Sequence, residues 1–226
     1  MLAPIISIRD LHHTYGHGDS RMEVLRGIEG EFAPGQITLL MGPSGAGKTT
    51  LLKLLAGLRR IQRGAVEIAG VAVAQARPAE LVDLRRRIGF IFQAHHLIAS
   101  LTLEQNVMMP LSFVPGFNGR RARDAARAML ASVGLAGHER KRPAELSGGM
   151  KQRAAVARAL IHQPELILAD EPTASLDSAT GQAIVNLLAR LARDSGVSIV
   201  MVTHDERITA IADRLYHIED GQMAAG

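Results

Sequence analysis

The stretch "LLMGPSGAGKTTLLKLL" confines this chain more tightly than any other part of it. Gly42, Gly47, Lys48 and Thr49 stand at the spacing G-x-x-x-x-G-K-[ST], with an apolar strand pattern before them and an amphipathic helix pattern after. In the run Gly42, Pro43, Ser44, Gly45, Ala46, Gly47, the small residues let backbone N–H groups curl around phosphate oxygens without side-chain collision. A helix beginning near Lys48 adds the positive end of its dipole. Lys48 is expected to reach the β- and γ-phosphates, and the Thr49 hydroxyl to ligate Mg²⁺, with Thr50 completing the binding run. A nucleotide site is implied.

Short apolar or alternating runs read as strands: "IISI", "QITLLM", "AVEIAG", "RIGFIF", "ELILAD", "VSIVMVTH" and "RLYHIEDG". Several alternate with helical patterns such as "KTTLLKLLAGL" and "TGQAIVNLLARLARDS", which predicts an α/β fold with a largely parallel central sheet. No internal repeat or low-complexity linker interrupts the 226 residues, so one module is expected. Strand signals fade from about 97 to 162, where helical ones take over. That division predicts a helical subdomain at about 97–162, inserted in a catalytic core formed by about 1–96 and 163–226.

Composition excludes several classes. No apolar run approaches the ~18 residues of a membrane span. "MLAPIISIRD" lacks the basic and apolar regions of a signal peptide, and Cys 0 rules out disulfides and thiolate metal sites, so the cytoplasm is expected. The net charge of +4 and pI near 9.9 permit attraction to anionic surfaces. The charge is scattered, however, and the run "NGRRARDAARAML" has the spacing of a solvated helix face. With aromatics at 3% and Trp 0, stacking platforms are scarce, and no nucleic-acid partner is expected.

"LILADEPTASLD" supplies what a phosphate loop lacks. Asp170, at the end of a buried strand, can hold Mg²⁺, and the adjacent Glu171 can polarise an attacking water. His204 follows the strand "VSIVMVT"; it is either a structural residue or a donor to the γ-phosphate or the water. Gln93 closes "RIGFIF" and is either an ordinary polar residue or an amide ligand near the metal. Tyr15 is either core or a π-face for adenine. In "ELSGGMKQR", Ser147 can be a plain N-cap, with Gly148 and Gly149 giving tight entry into a helix, or all three can form a second anion-ready helix start. His13 and His17 have metal-like spacing, but neighbouring glycines predict a loop and no metal.

Taken together, "GPSGAGKTT", Gln93, "LSGGM", "LILADEP", "SLD" and "VTHD" occur in the order and spacing of the ATP-binding cassette (ABC) ATPases, and the resemblance covers essentially the whole chain. It implies a P-loop NTPase (RecA-like) core with N-terminal antiparallel β elements and an inserted α-helical subdomain. It implies a head-to-tail homodimer formed on ATP binding, in which Ser147, Gly148 and Gly149 of one copy serve the γ-phosphate held by the other copy's phosphate loop. By the same matching Tyr15 resembles the adenine-stacking aromatic, and Gln93 the residue coupling metal site to helical subdomain. Asp170 and Glu171 match the magnesium and general-base acids, His204 the switch histidine, and Ser175 to Asp177 the loop that communicates between sites. The usual fifth residue of the "LSGGM" motif is glutamine; here it is Met150, which removes an amide.

Members of this family mostly power transport, so a separate transmembrane permease docking near the lobe after Gln93 is implied, with the cassette peripheral at the cytoplasmic face of the inner or plasma membrane. "FQAHHLIASLTLEQNVMMPL" resembles the branch of LolD-like, MacB-like and DevA-like exporter ATPases, nearest to the last, which extrude lipidic or amphiphilic cargo. An FtsE-like cell-division regulator and an importer ATPase are the alternatives. A chromosome-organising relative would need long heptads, and a translation GTPase an N-K-x-D reader. Neither pattern is present: none of the three asparagines precedes lysine.

Overall fold

The computed structural model describes residues 3–174 and 176–225. Two sheets and a set of helices make up the molecule. A four-stranded antiparallel sheet has the order β2-β1-β4-β5, built from β1 (Ile6–Tyr15), β2 (Met22–Phe32), β4 (Arg63–Ile68) and β5 (Val71–Ala72). A six-stranded sheet has the order β10-β9-β3-β8-β7-β6, from β3 (Ile37–Met41), β6 (Ile88–Ile91), β7 (Leu166–Asp170), β8 (Ser198–Val202), β9 (Arg214–Glu219) and β10 (Gln222–Ala225). Within it β9, β3, β8, β7 and β6 run parallel, and β10 pairs antiparallel with β9.

The central parallel strands β3, β6, β7 and β8 are mostly apolar because both their faces are covered. Leu40, Leu166, Leu168, Val200 and Val202 point to the layer shared with α1 (Lys48–Leu55), the antiparallel sheet and Leu84 of α2 (Pro78–Arg86). Their neighbours Leu39, Ile167, Ala169, Ile199 and Met201 point the other way, onto α5 (Gly148–Leu160) and α6 (Ser178–Ser195). The period of two thus appears as burial on alternate faces rather than as polarity. Asp177 caps α6 by accepting from Thr180 N at 3.0 Å, and Gly196, at φ +66°, ends it. Buried Ile184, Val185 and Leu188 fasten α6, each worth about 1.5–3 kcal/mol of apolar burial.

Between β6 and β7 the elements are helical: α3 (Leu103–Met108), a 3₁₀ segment Met109–Phe113, α4 (Gly119–Ser132), a 3₁₀ turn Pro143–Glu145, and α5. Leu103, Val107, Ala126, Leu130, Ala154 and Ala157 form a separate apolar cluster there. Asn106, fully buried, fixes the approach to α3: its Nδ2 donates to the carbonyls of Ile98, Leu101 and Thr102. The arginines of α4 lie outward, with Arg123 and Arg127 both reaching Glu104.

One expectation is corrected. His13 is not in a loop; it sits within β1, 3% exposed, because the strand continues through "HHTY" to Tyr15. The aromatic and β-branched residues of that run suit a strand, and the glycines begin only beyond its end. His17 is exposed, just ahead of the 3₁₀ turn Gly18–Ser20.

Candidate active site

The phosphate loop leaves β3 at Gly42, whose φ of +141° and closeness to β9 both demand glycine. A Cβ there would lie 1.9 Å from the Ile218 carbonyl oxygen. Gly47, at φ +99°, turns the loop into α1 with Val24 and Leu25 of β2 pressed against it. Lys48 is 8% exposed, and its Nζ donates to the carbonyls of Gly42 and Pro43, each at 2.7 Å. Burial pulls the Lys48 ammonium below the usual lysine range, and the nearby carboxylates of Glu171 and Asp170 pull it back up. The loop therefore gathers one buried cation and the start of an eight-residue helix at one place.

Beside it, β7 delivers Asp170 at its end. The Thr49 hydroxyl donates to Asp170 Oδ1 at 3.0 Å, tying the first turn of α1 to the neighbouring sheet strand. Burial pushes the Asp170 carboxyl up, while the Thr49 hydrogen bond counteracts this. Glu171 follows with φ +48°, a left-handed conformation that costs a non-glycine residue about 1–3 kcal/mol. Its backbone N–H donates to the Val202 carbonyl at 3.0 Å, which holds the turn. The strained backbone swings the Glu171 carboxylate between two side chains. Gln93 Nε2 donates to Oε2 at 3.3 Å, and His204 Nδ1 lies 3.3 Å from Oε1. Gln93, Glu171 and the loop residues Ser44, Gly45, Gly47, Lys48, Thr49 and Thr50 line one cavity of about 440 Å³.

Tyr15 lines the same cavity from the end of β1, and its hydroxyl is 3.2 Å from Thr50 Oγ1. Met22 and Val24 line it too, although nothing in the sequence marks them. Only the pairing of Tyr15 with Met22 across β1 and β2 brings them there. Ser147, Gly148 and Gly149 are not among the cavity's lining residues. Ser147 caps α5, its Oγ accepting from Met150 N at 3.3 Å, and Gly149 lies close to Leu176. Ser175 lies outside the described residues. Met150 packs its side chain against the apolar helical cluster, so its contribution to the helix start is a backbone N–H that any residue supplies. Met150→Gln is accordingly expected to keep steady-state ATP turnover within about tenfold, or ~1.4 kcal/mol. A larger change would mean that the Met150 side chain contacts a partner.

A groove of about 540 Å³ opens next to the Gln93 segment. Its floor is aromatic and apolar, with Phe90, Phe92, Met109, Pro110, Phe113 and Val114, and its basic groups include Arg85, Arg86 and Arg158. Arg158, 7% exposed, donates to the carbonyls of His95 (2.6 Å) and His96. These two histidines have φ of +63° and +48°, so a buried arginine on α5 braces a strained turn directly after Gln93.

Comparisons with known proteins bear on the chain as a whole. Residues 25–174 match the family model described as ABC transporter. The chain is 41% identical over 225 residues to the lipoprotein-releasing system ATP-binding protein LolD of Geobacter metallireducens, covering 99% of this chain and 100% of that protein. It is 42% identical over 219 residues to the macrolide export ATP-binding/permease protein MacB of Syntrophobacter fumaroxidans, covering 96% of this chain but only 31% of MacB. The chain thus spans about a third of the length of the MacB proteins it matches. Among solved structures, the dimeric ATP-binding cassette MJ0796 bound to ADP and Pi superposes with a TM-score of 0.92 at 34% identity, over 97% of this chain and 98% of that one. With the family model covering most of the chain and LolD matched end to end, the chain belongs to the ABC transporter family, as an ATP-binding, ATP-hydrolysing cassette.

Proposed function

We propose that this cassette binds ATP together with Mg²⁺, closes as a head-to-tail homodimer, and energises a separate membrane subunit that exports a lipidic or amphiphilic cargo. The observation that carries the catalytic part is the placement of Glu171: a strained, left-handed residue with its carboxylate beside the phosphate loop, gripped by Gln93 and His204. In this reading the backbone of Gly42 to Gly47 and the Lys48 ammonium bind the phosphates. The Thr49 hydroxyl and Asp170 carboxylate are hard oxygen donors already 3.0 Å apart, a set that suits Mg²⁺, with Gln93 adjoining. The bound cation would offset phosphate charge and the Asp170 carboxylate. Glu171 accepts the proton of the attacking water as its oxygen bonds to the γ-phosphorus and ADP departs. His204 orients that water or the γ-phosphate.

The cavity lacks the second helix start that the reading needs, and Ser147, Gly148 and Gly149 of a second copy supply it. Tyr15 stacks on the adenine. Residues 97–162 act as a helical subdomain, and 1–96 with 163–226 as the catalytic core. The groove beside Gln93 receives the membrane subunit, with its aromatic floor for an apolar face and its arginines for carboxylates or a helix C-terminus. No helix among the described residues is long and apolar enough to cross a membrane, so the reading places the cassette peripherally, on the cytoplasmic face of the inner or plasma membrane. Export is favoured because the matched LolD and MacB proteins are named for lipoprotein release and macrolide export.

Purifying the native complex in gentle detergent and identifying its components by mass spectrometry tests the transport reading. A four-span partner with a large extracytoplasmic domain is the expected result. A permease accompanied by a solute-binding protein would overturn export in favour of import. A soluble or chromosomal partner would overturn transport altogether.

A further inference from the structure

Tyr15 is engaged by Thr50, directly after the phosphate-loop motif, and by His13 and Arg59, outside it. Thr50 meets its hydroxyl, His13 meets the ring at 4.9 Å with a T-shaped interplanar angle of 79°, and the Arg59 guanidinium carbon stands 4.7 Å from the ring centroid. Arg59 follows α1, and among the described residues it forms no ion pair. Among the described residues its charge is therefore presented to the ring rather than to a carboxylate. His13 is buried, with neither ring nitrogen hydrogen-bonded, so it contributes an aromatic contact and no polar anchor. Neither Arg59 nor His13 lines the nucleotide cavity, whereas Tyr15 does. Both therefore contact the ring without belonging to the cavity's lining.

We propose that Arg59 is a positioning residue for the nucleotide base: its guanidinium, seated behind Tyr15, fixes the ring and polarises it so that the opposite side stacks more strongly on a purine. The proposal rests on reading Tyr15 as the adenine platform and adds a determinant to it. A cation over one face of an aromatic ring draws π density toward itself. The far face then accepts an electron-rich purine with less repulsion, in a layered order of cation, phenol and base. Arg59 needs no contact with ATP for this, and the effect is confined to the base.

Calorimetric affinities for ATP and for inorganic tripolyphosphate separate base from phosphate. Arg59→Met keeps the aliphatic stem and removes the charge. It is expected to weaken ATP about three- to tenfold, the range a cation–π contact supplies, and to leave tripolyphosphate within about twofold. Arg59→Lys should recover most of the loss, and Arg59→Met should cost nothing further when Tyr15→Ala is already present. A purely structural role would weaken both ligands and would persist in the Tyr15→Ala background. Equal weakening of ATP and tripolyphosphate, or unchanged ATP affinity, overturns the proposal. The platform reading fails separately: Tyr15→Ala alone should weaken ATP and spare tripolyphosphate, and if it leaves ATP binding intact the platform itself is wrong, whatever Arg59 does.

Discussion

Lys48→Ala is expected to remove measurable ATP binding, with affinity falling by at least about a hundredfold, or ~2.7 kcal/mol. The magnitude follows from where the ammonium sits. It is the one lysine drawn into the loop, desolvated there, and held by the Gly42 and Pro43 carbonyls within reach of any phosphate in the cradle. Charge-assisted contacts in so dry a place are about twice as strong as neutral ones, and alanine supplies no substitute donor. The same carbonyls lose their partner in the variant, so a melting curve should accompany calorimetry to separate a damaged loop from a lost ligand. A variant that folds and binds ATP with unchanged affinity would remove Lys48 from the binding role.

Glu171→Gln is expected to divide binding from chemistry. The amide is nearly isosteric with the carboxylate and can still meet Gln93 and His204, so ATP affinity should persist. Its oxygen is far too weak a base to accept the water's proton, and turnover should drop by about 10²–10⁴. With hydrolysis blocked, the dimer closed around nucleotide has no route to open and should accumulate. Light scattering at saturating ATP and Mg²⁺ should therefore report twice the mass of the chain. A variant that remains monomeric contradicts either the shared site or the role of Glu171. Hydrolysis at the native rate contradicts the role of Glu171 alone.

How much of this was legible in the sequence differed by element, for physical reasons. β3, β7 and β8 are mostly apolar because both sides of the central sheet are buried, and short apolar runs bounded by turn residues read easily. β2 does not read at all. Its core residues Leu25, Ile28 and Phe32 are three and four apart, the spacing of a helix. A bulge on β2 at Gly27, which takes positive φ, produces the interval of three as the register shifts between Leu11 and His13; the interval of four is ordinary alternation with Gly30 between. The short β10, "QMAA", carries no strand signature and exists because β9 offers it an edge. At the site, motif spacing marks the phosphate loop and the acids. The left-handed backbone of Glu171, the brace from Arg158 to the turn after Gln93, and Arg59 behind Tyr15 depend on chain segments meeting in space, and no local pattern announces them.

The position of β3 has a consequence for how the molecule is made. This strand launches the phosphate loop, yet both of its sheet neighbours, β8 and β9, lie more than 150 residues further along the chain, at Ser198–Val202 and Arg214–Glu219. During synthesis β3 emerges early and must wait, unpaired and sticky, for partners still inside the ribosome. Contacts so distant in sequence form late and slowly. A nascent chain arrested before residue 198 thus carries the full glycine-rich motif but lacks the sheet that shapes it. Competence to hold a nucleotide arrives only once β8 and β9 have been made, well after the residues that will do the holding.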